Sequence, residues 1–359
     1  MPVSAVDVIS PAFVRTRRQL FQPFRAGRWA RLAIVALVTG EFGGGGSCGG
    51  LSNAGFPARI RGRGRPGAVF SLAASDWHVP EHLWLWLVAG IIILLALGLA
   101  WIYAASVYRF ILLDSVIYDR CDLLEGWRRW RGLGLHYFLW TVCFAVVVIG
   151  TLGLIIVAPI LFAQRRGILI QPRQHLALLI GAGLLLFLVA LLLIVTSAVI
   201  AVLTKDFVVP VMALQNVGVL DGWQRLLPMI NTEKGAYTVY VLLKIVLAVG
   251  SAILFAIVHV IVVLLLLIPL GIIGVAIFGA VHMLALAWNA LTIGLFILLC
   301  LVLLAGLLWT LSFVYAPGLV FFQSYSLYFL APRYPALNAL LWPPPPPIPP
   351  TAPQAVPVT

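Results

Sequence analysis

The stretch Leu124-Glu125-Gly126-Trp127-Arg128-Arg129 decides the fold, because it returns 96 positions later as Leu220-Asp221-Gly222-Trp223-Gln224-Arg225. We call these two stretches the signatures. In both copies apolar residues recur at the spacing of one face of an amphipathic helix. Each copy also follows one long apolar run and precedes another. We therefore expect an internal repeat built on a short helix at a membrane surface, with its tryptophan at headgroup depth and its last arginine in water.

The composition of the chain places it in a bilayer. Hydrophobic residues make up 63% of the 359 residues and charged residues only 9%, which is unlike a soluble globular domain. A formal net charge of +12 would suggest nucleic acid in a soluble protein, but here the basic residues lie between apolar runs. We expect them to set topology and to contact anionic headgroups, so the predicted partner is the lipid bilayer and not nucleic acid. The four cysteines form no C-x-x-C pair, and neither a disulfide framework nor a cofactor is expected.

Long apolar runs predict an all-α polytopic bundle, because lipid-exposed open sheets leave backbone groups unsatisfied and these runs are too long for barrel strands. One run, Trp29–Phe42, has only 14 residues, fewer than the ~20 that a perpendicular span needs. Aligning Phe13 with Trp127 and Trp223 makes this run equivalent to the spans that follow the signatures, so we count it as a short first membrane helix. The other five predicted spans are about His82–Ala105, His136–Ala163, Leu176–Thr204, Ala236–Ile268 and Leu291–Val314.

The six spans form three pseudo-repeats, about 9–117, 123–212 and 219–330. Each unit is expected to hold an interfacial helix, an inbound span, an outer connection and an outbound span. The outbound span ends in a segment that contains a phenylalanine, which we call the exit phenylalanine. The fifth span should stop at the breaker Pro269-Leu270-Gly271, which leaves Ile272–Leu286 as a re-entrant or interfacial piece. The exit phenylalanines of the three units are Phe110, Phe207 and Phe313.

The predicted domains follow from these units. A cytoplasmic interfacial helix lies in 1–28, the transmembrane domain covers 29–330, and a proline-rich cytoplasmic tail covers 331–359. An extracytoplasmic loop of glycines and arginines fills 43–81. In the interfacial helix, Arg15 and Arg18 should oppose an apolar side made of Phe13, Val14, Leu20, Phe21 and Phe24.

The distribution of basic residues predicts the orientation. Lys and Arg are more numerous on the signature side of the six spans than on the opposite side, so both termini and both signatures should be cytoplasmic. The expected location is the inner membrane of a bacterium.

One candidate metal site stands in the sequence His78-Val79-Pro80-Glu81-His82, which matches the H-x-x-E-H pattern of inverted zinc peptidases. That chemistry needs both imidazoles on one face of a continuous helix. Pro80 interrupts such a helix and more naturally opens the next one. A membrane zinc peptidase is therefore a remote alternative.

Four polar residues in the last third are candidates for transport, since an ionisable group inside a span is a functional hypothesis by default. Lys244 lies about eight residues inside the fifth predicted span, where it can snorkel to the cytoplasmic interface or pair with Asp206 or Asp114. Hydrogen bonds between helices explain the others as well as a pathway does. These others are His259, His282 and Asn289.

A repeated surface helix ending in a G-W-x-R-like motif between long spans resembles the membrane domain attached to some bacterial glycerophosphoryl diester phosphodiesterases. It is also similar to a broad set of uncharacterised bacterial multi-pass proteins. The resemblance covers roughly residues 5–330 and implies the membrane module alone, because the catalytic barrel and its acidic metal ligands have no counterpart in this sequence.

No serine or cysteine nucleophile with a nearby base is visible, so an enzyme is not expected. The favoured function is a non-catalytic integral membrane scaffold or accessory protein. Its cytoplasmic surface helices and proline-rich tail would meet lipid headgroups or a protein partner. The alternative is a transporter or channel for a small or lipidic solute, which the internal repeats and the broken segment at Pro269 favour.

Overall fold

A computed structural model of the chain describes residues 4–22, 25–40, 81–119, 121–166, 176–283 and 290–341. Every regular element in these ranges is helical. The α-helices are α1 (Ile9–Phe21), α2 (Ala26–Thr39), α3 (Glu81–Tyr118), α4 (Leu123–Arg165), α5 (Leu176–Leu203), α6 (Val209–Gln215), α7 (Val219–Thr232), α8 (Lys234–Met283), α9 (Ala290–Leu330) and α10 (Pro335–Leu341). A π-helical turn, Thr204–Val208, joins α5 to α6, and a 3-10 turn, Ala331–Arg333, follows α9.

Five helical stretches in the described ranges are long and apolar enough to cross a membrane. The predicted polytopic helical bundle is confirmed, while the count of six spans stays a prediction. The helix expected to supply the first span, α2, has 14 residues, about 21 Å at 1.5 Å per residue, which is short of the ~30 Å hydrocarbon core. The five stretches are Trp84–Tyr118, Leu123–Arg165, Leu179–Gln215, Lys234–Pro269 and Ile297–Arg333.

Helix α2 is nevertheless part of the bundle, because it packs against both α3 and α9. Trp29 at its start stacks on Phe313 of α9, with ring centroids 6.4 Å apart. The helix ends at Gly40, whose φ of +66° is left-handed, the conformation that favours glycine after a helix. Its buried face consists of Leu32, Ala33, Val35 and Ala36.

The buried core lies at one end of the spans, which we call the signature end. It joins α1 and α2 to the last turns of α3, the first turns of α4, the π-helical turn, α7, the start of α8 and the end of α9. Farther along the spans, large apolar side chains such as Leu94, Val147 and Leu265 are exposed and would meet lipid. Tight packing is therefore concentrated where the signatures are.

Two predicted interruptions are wrong. The first signature and the span that follows it lie on one helix, since α4 continues without a break from Leu123 to Arg165, whereas α7, which carries the second signature, ends at Thr232 before α8 begins at Lys234. Helix α8 likewise runs through Pro269 to Met283 and does not stop there. A proline removes one backbone donor, whereas leaving the helix in lipid would expose many unsatisfied groups, so the helix continues.

Three predicted features fall on residues that the structure does not describe. They are the loop of glycines and arginines up to residue 80, His78 of the metal pattern, and the proline-rich tail from residue 342 onwards.

Candidate functional site at the signature end of the spans

The signature glycines are contact points between helices. A Cβ atom added at Gly126 would lie 2.9 Å from Ile111 Cγ1 on α3, and one added at Gly222 would lie 2.8 Å from Val208 Cγ1 in the π-helical turn. Both distances are shorter than real Cβ contacts. Each glycine therefore lets its helix closely approach the segment around the preceding exit phenylalanine, Phe110 or Phe207. Ala12 of α1, the equivalent residue of the first unit, is fully buried as well.

The residues one turn further on complete the same buried face in all three units. Thr16, Trp130 and Leu226 are each buried, and they lie four positions after Ala12 and the two signature glycines. Residues four apart share a helix face. The three aligned stretches thus bury residues at the same relative positions.

The signature tryptophans are only partly buried. Trp127 meets Tyr103 edge-on, with ring centroids 5.8 Å apart, and Tyr108 at 5.9 Å. Trp223 packs against the core while its buried Nε1 has no hydrogen-bond partner among the described residues. The headgroup depth predicted for both rings stays a prediction.

The last signature arginine contacts the end of a neighbouring helix. The Arg129 guanidinium lies 3.8 Å from the Asp114 carboxylate of α3 and stacks over the Trp130 ring at 4.9 Å. Its equivalent in α1, Arg15, donates to the Val116 carbonyl at 2.9 Å. It also pairs with Asp119 at 3.2 Å. These cations lie at a helix C-terminus, where the backbone dipole favours positive charge.

The prediction for the sides of α1 is wrong. Arg15 lies against α3, and Gln19 beside it donates to the Ser115 carbonyl at 2.8 Å. The buried face is Ala12, Thr16, Gln19 and Leu20. Three residues predicted to share an apolar side with Leu20 are instead exposed on the opposite face, because α1 packs on α9 through its smaller residues. These exposed residues are Phe13, Val14 and Phe21.

A buried ion pair lies next to the second signature. Lys244 of α8 donates to Asp206 Oδ2 in the π-helical turn, and each side chain is only 3% exposed. Tyr240, one turn before Lys244, donates its hydroxyl to the same carboxylate oxygen at 2.9 Å. Lys244 therefore pairs inside the protein, which was one of the alternatives that the sequence left open.

The ion pair connects three spans. The Tyr240 ring stacks on Tyr325 of α9, with centroids 5.1 Å apart and planes within 9° of parallel. A buried carboxylate needs its charge balanced and its oxygens bonded, and Asp206 receives both from α8. Such a group can pin helices together or exchange a proton with its neighbours. Tyr240 was not predicted, although its spacing of four from Lys244 places both on one face of a helix.

The first unit carries a corresponding contact of opposite charge. Arg109 directly precedes the exit Phe110, as Asp206 precedes Phe207. Arg109 is buried, donates to the Tyr137 hydroxyl of α4, and lies over the Tyr137 ring at 5.2 Å. In both units the charged residue before the exit phenylalanine thus bonds a tyrosine of the next inbound helix.

The other predicted transport residues lie apart from this cluster or are not described. His259 Nδ1 lies 3.2 Å from the Tyr315 hydroxyl and links α8 to α9. The structure does not describe Asn289 or the side chain of His282. Glu81 and His82 begin α3, but their side chains are not described either. Within the described ranges no group of three His, Cys, Asp or Glu side chains could hold a metal ion.

Outside the spans, one thiol is strongly perturbed. Burial raises the pKa of Cys121, between α3 and α4, from 9.0 to about 11, and the nearby Arg31 guanidinium opposes this only in part. Arg31 also donates to the Cys121 carbonyl at 2.6 Å and pairs with Asp122 at 2.8 Å. Cys121 is therefore a protonated, inert thiol at neutral pH.

Comparison with known proteins gives a family and little else. A family model described as "Family of unknown function (DUF7544)" matches residues 3–340, nearly the whole chain. No curated protein and no solved structure matches. No resemblance to glycerophosphoryl diester phosphodiesterases is among these findings.

Proposed function

Because the chain belongs to DUF7544, a family of unknown function, we propose a role from its geometry alone: a non-catalytic integral membrane scaffold or accessory protein. One observation carries the proposal. The signature glycines serve packing, since Gly126 and Gly222 seat their helices against the neighbouring segments of Ile111 and Val208, and Arg129 contacts the end of α3. A module that repeats contacts of this kind holds surface helices in fixed positions at one membrane face.

We propose that the chain crosses the bilayer six times, with both termini in the cytoplasm of a bacterial cell. Helix α1 lies at the signature end, because Arg15 and Gln19 contact the last turn of α3. Helix α3 has 38 residues, about 57 Å, so its first residue, Glu81, lies at the opposite end. This placement supports a crossing of the bilayer between Phe21 and Glu81. The excess of Lys and Arg at the signature end supports a cytoplasmic location for that end.

We also propose a distant evolutionary relation to a known membrane domain. The spacing of the signature between long spans supports a distant relation to the membrane domain of glycerophosphoryl diester phosphodiesterases, without their catalytic barrel. That relation would assign the membrane module only.

Site-specific photo-crosslinking in cells tests the scaffold. Leu124 and Leu220, at equivalent positions of the two signatures, are 85% and 64% exposed on the side away from the core. A photoreactive residue at either position is expected to capture one reproducible protein. The matched control is Leu94, which is 69% exposed far from the signature end and should give lipid adducts only. Lipid adducts alone at all three positions would contradict a role as a protein scaffold.

A second candidate function, a transporter for a small or lipidic solute, is favoured by the buried pair of Asp206 and Lys244. Ionisable groups within spans often mark ion or substrate paths, and π-helical turns are frequent at functional sites. Proteoliposomes that accumulate a solute or dissipate a proton gradient, and that lose this activity in Lys244→Met, would establish transport over the scaffold. No flux in either protein would exclude it for the solutes assayed.

A further inference from the structure

Helix α1 has an outward face that combines aromatic and cationic residues. Phe13, Val14 and Phe21 are 63%, 59% and 54% exposed, although they belong to a helix whose other face is fully packed. Arg17 lies one turn after Phe13 and one turn before Phe21, and Arg18 follows it; both are exposed. Neither arginine forms an ion pair with another described residue. The face therefore offers two uncompensated charges beside two aromatic rings.

At the positions of Arg17 and Arg18, only the first unit carries arginine at both. The residues equivalent to Arg17 are Arg131 and Leu227, and those equivalent to Arg18 are Gly132 and Pro228. The packing of the repeat does not need the pair, because the two later units lack it. A requirement that belongs to α1 alone must explain it.

The position of α1 is fixed by the core. Arg15 and Gln19 bond the carbonyls at the end of α3, and the Tyr325 hydroxyl of α9 donates to the Ala5 carbonyl at 3.2 Å. The outward face is thus held at the level where the spans leave the membrane. A rigid, preformed face loses little conformational entropy on binding.

We infer that α1 lies in the plane of the membrane and binds an anionic phospholipid leaflet, with Arg17 and Arg18 on headgroup phosphates and Phe13 and Phe21 at the edge of the acyl chains. This combination is typical of interfacial helices that select anionic lipid. Two adjacent arginines contact phosphate without competition from a protein carboxylate. The inference rests on the membrane-embedded scaffold proposed above and names the lipid class that its first surface helix takes.

The experiment reads lipid identity at α1 directly. A bimane label is placed at Val14→Cys in a background without other cysteines, and the protein is reconstituted in mixtures of phosphatidylglycerol and phosphatidylcholine. Brominated forms of each lipid quench the label, and their ratio gives a relative binding constant. Each basic residue near an anionic surface contributes roughly 5-fold, so with two arginines the labelled protein should prefer phosphatidylglycerol by roughly 25-fold.

The variants isolate the arginine pair. Arg17→Gln with Arg18→Gln should reduce the preference to about 1, whereas Arg17→Lys with Arg18→Lys should keep most of it, since only charge near phosphate is required. The matched control is Arg165→Gln with Arg166→Gln, an exposed arginine pair at the other end of α4, which should leave the preference unchanged. Correct folding of each variant is checked by near-ultraviolet circular dichroism.

Three outcomes would overturn the inference. The first is equal quenching of the bimane label by both brominated lipids, and the second is a preference for phosphatidylglycerol that remains in the Arg17→Gln, Arg18→Gln variant. The third is a label that neither lipid quenches, which would mean that protein covers this face. Photo-crosslinks from Leu220 distinguish this failure from failure of the scaffold, because they do not involve α1.

Discussion

The substitution Gly134→Ala tests the close contact of α3 with α4. A Cβ atom there would lie 2.6 Å from Val107 Cγ2 and 3.1 Å from Val107 Cα, so a side-chain rotation cannot remove the clash and the two helices must separate. Overpacking of this kind lowers the free energy of unfolding by about 1–3 kcal/mol, and the better helix propensity of alanine offsets up to about 1 kcal/mol of this loss. We expect a net loss of roughly 1–2 kcal/mol in the free energy of unfolding.

Gly132→Ala is the matched control, because Gly132 lies two residues earlier in the same helix and a Cβ atom added there would meet nothing within 4 Å. It should be neutral or stabilising by up to about 1 kcal/mol. Unfolding by dodecyl sulfate in mixed micelles, followed by tryptophan fluorescence, measures both variants. Val107→Ala should make Gly134→Ala less damaging, giving a coupling energy between the two sites. Equal stabilities of Gly132→Ala and Gly134→Ala would refute the close approach of α3 and α4.

Three further predictions concern the ion pair, the buried thiol and the topology. Asp206→Asn or Lys244→Met alone should cost about 3–5 kcal/mol in the same unfolding assay because each strands a buried charge, whereas the double variant should lose less than the sum. For Cys121, the pKa in the folded protein is about 11 and lies above the unfolded value of 9.0, so the free energy of unfolding is highest below pH 9 and falls by roughly 3 kcal/mol as the pH rises from 9 to 11. Cys121→Ala should lack this fall between pH 9 and 11. Reporter fusions after Gln19, Arg131 and Lys234 should all report cytoplasm and one after Gly62 the outside, and a cytoplasmic signal at Gly62 would leave five crossings.

The spans could be predicted from the sequence because the signal for a membrane helix is local: a long apolar run without charge. The signature was also visible as a repeat, yet its glycines acquired a role only when Ile111 and Val208 were placed opposite them. Contacts of that kind join positions that are distant in the chain, so local periodicity does not contain them.

The failures have physical causes of the same kind. The apolar pattern of α1 predicts the wrong buried side because lipid and protein core are both apolar, so apolarity does not distinguish a face that meets lipid from one that meets the core. The breaker pattern at Pro269 predicts a helix end by a rule that holds in water, where a broken helix finds other hydrogen-bond partners. For Lys244, the sequence is compatible with an ion pair to either Asp206 or Asp114. The packing of the π-helical turn against α8 determines that the partner is Asp206.

The contacts of α1 impose an order on biosynthesis. Helix α1, which precedes the other described helices in the chain, packs on α9, and the Ala5 carbonyl accepts a hydrogen bond from Tyr325, 320 positions later. At about 5–20 residues per second, roughly 15–65 s of translation separate the two partners. During that interval α1 and α2 lack their final packing surface on α9, so we expect them to be open to proteolysis and misassembly. A chain truncated before α9 should therefore be degraded even though most of its membrane helices have already been made.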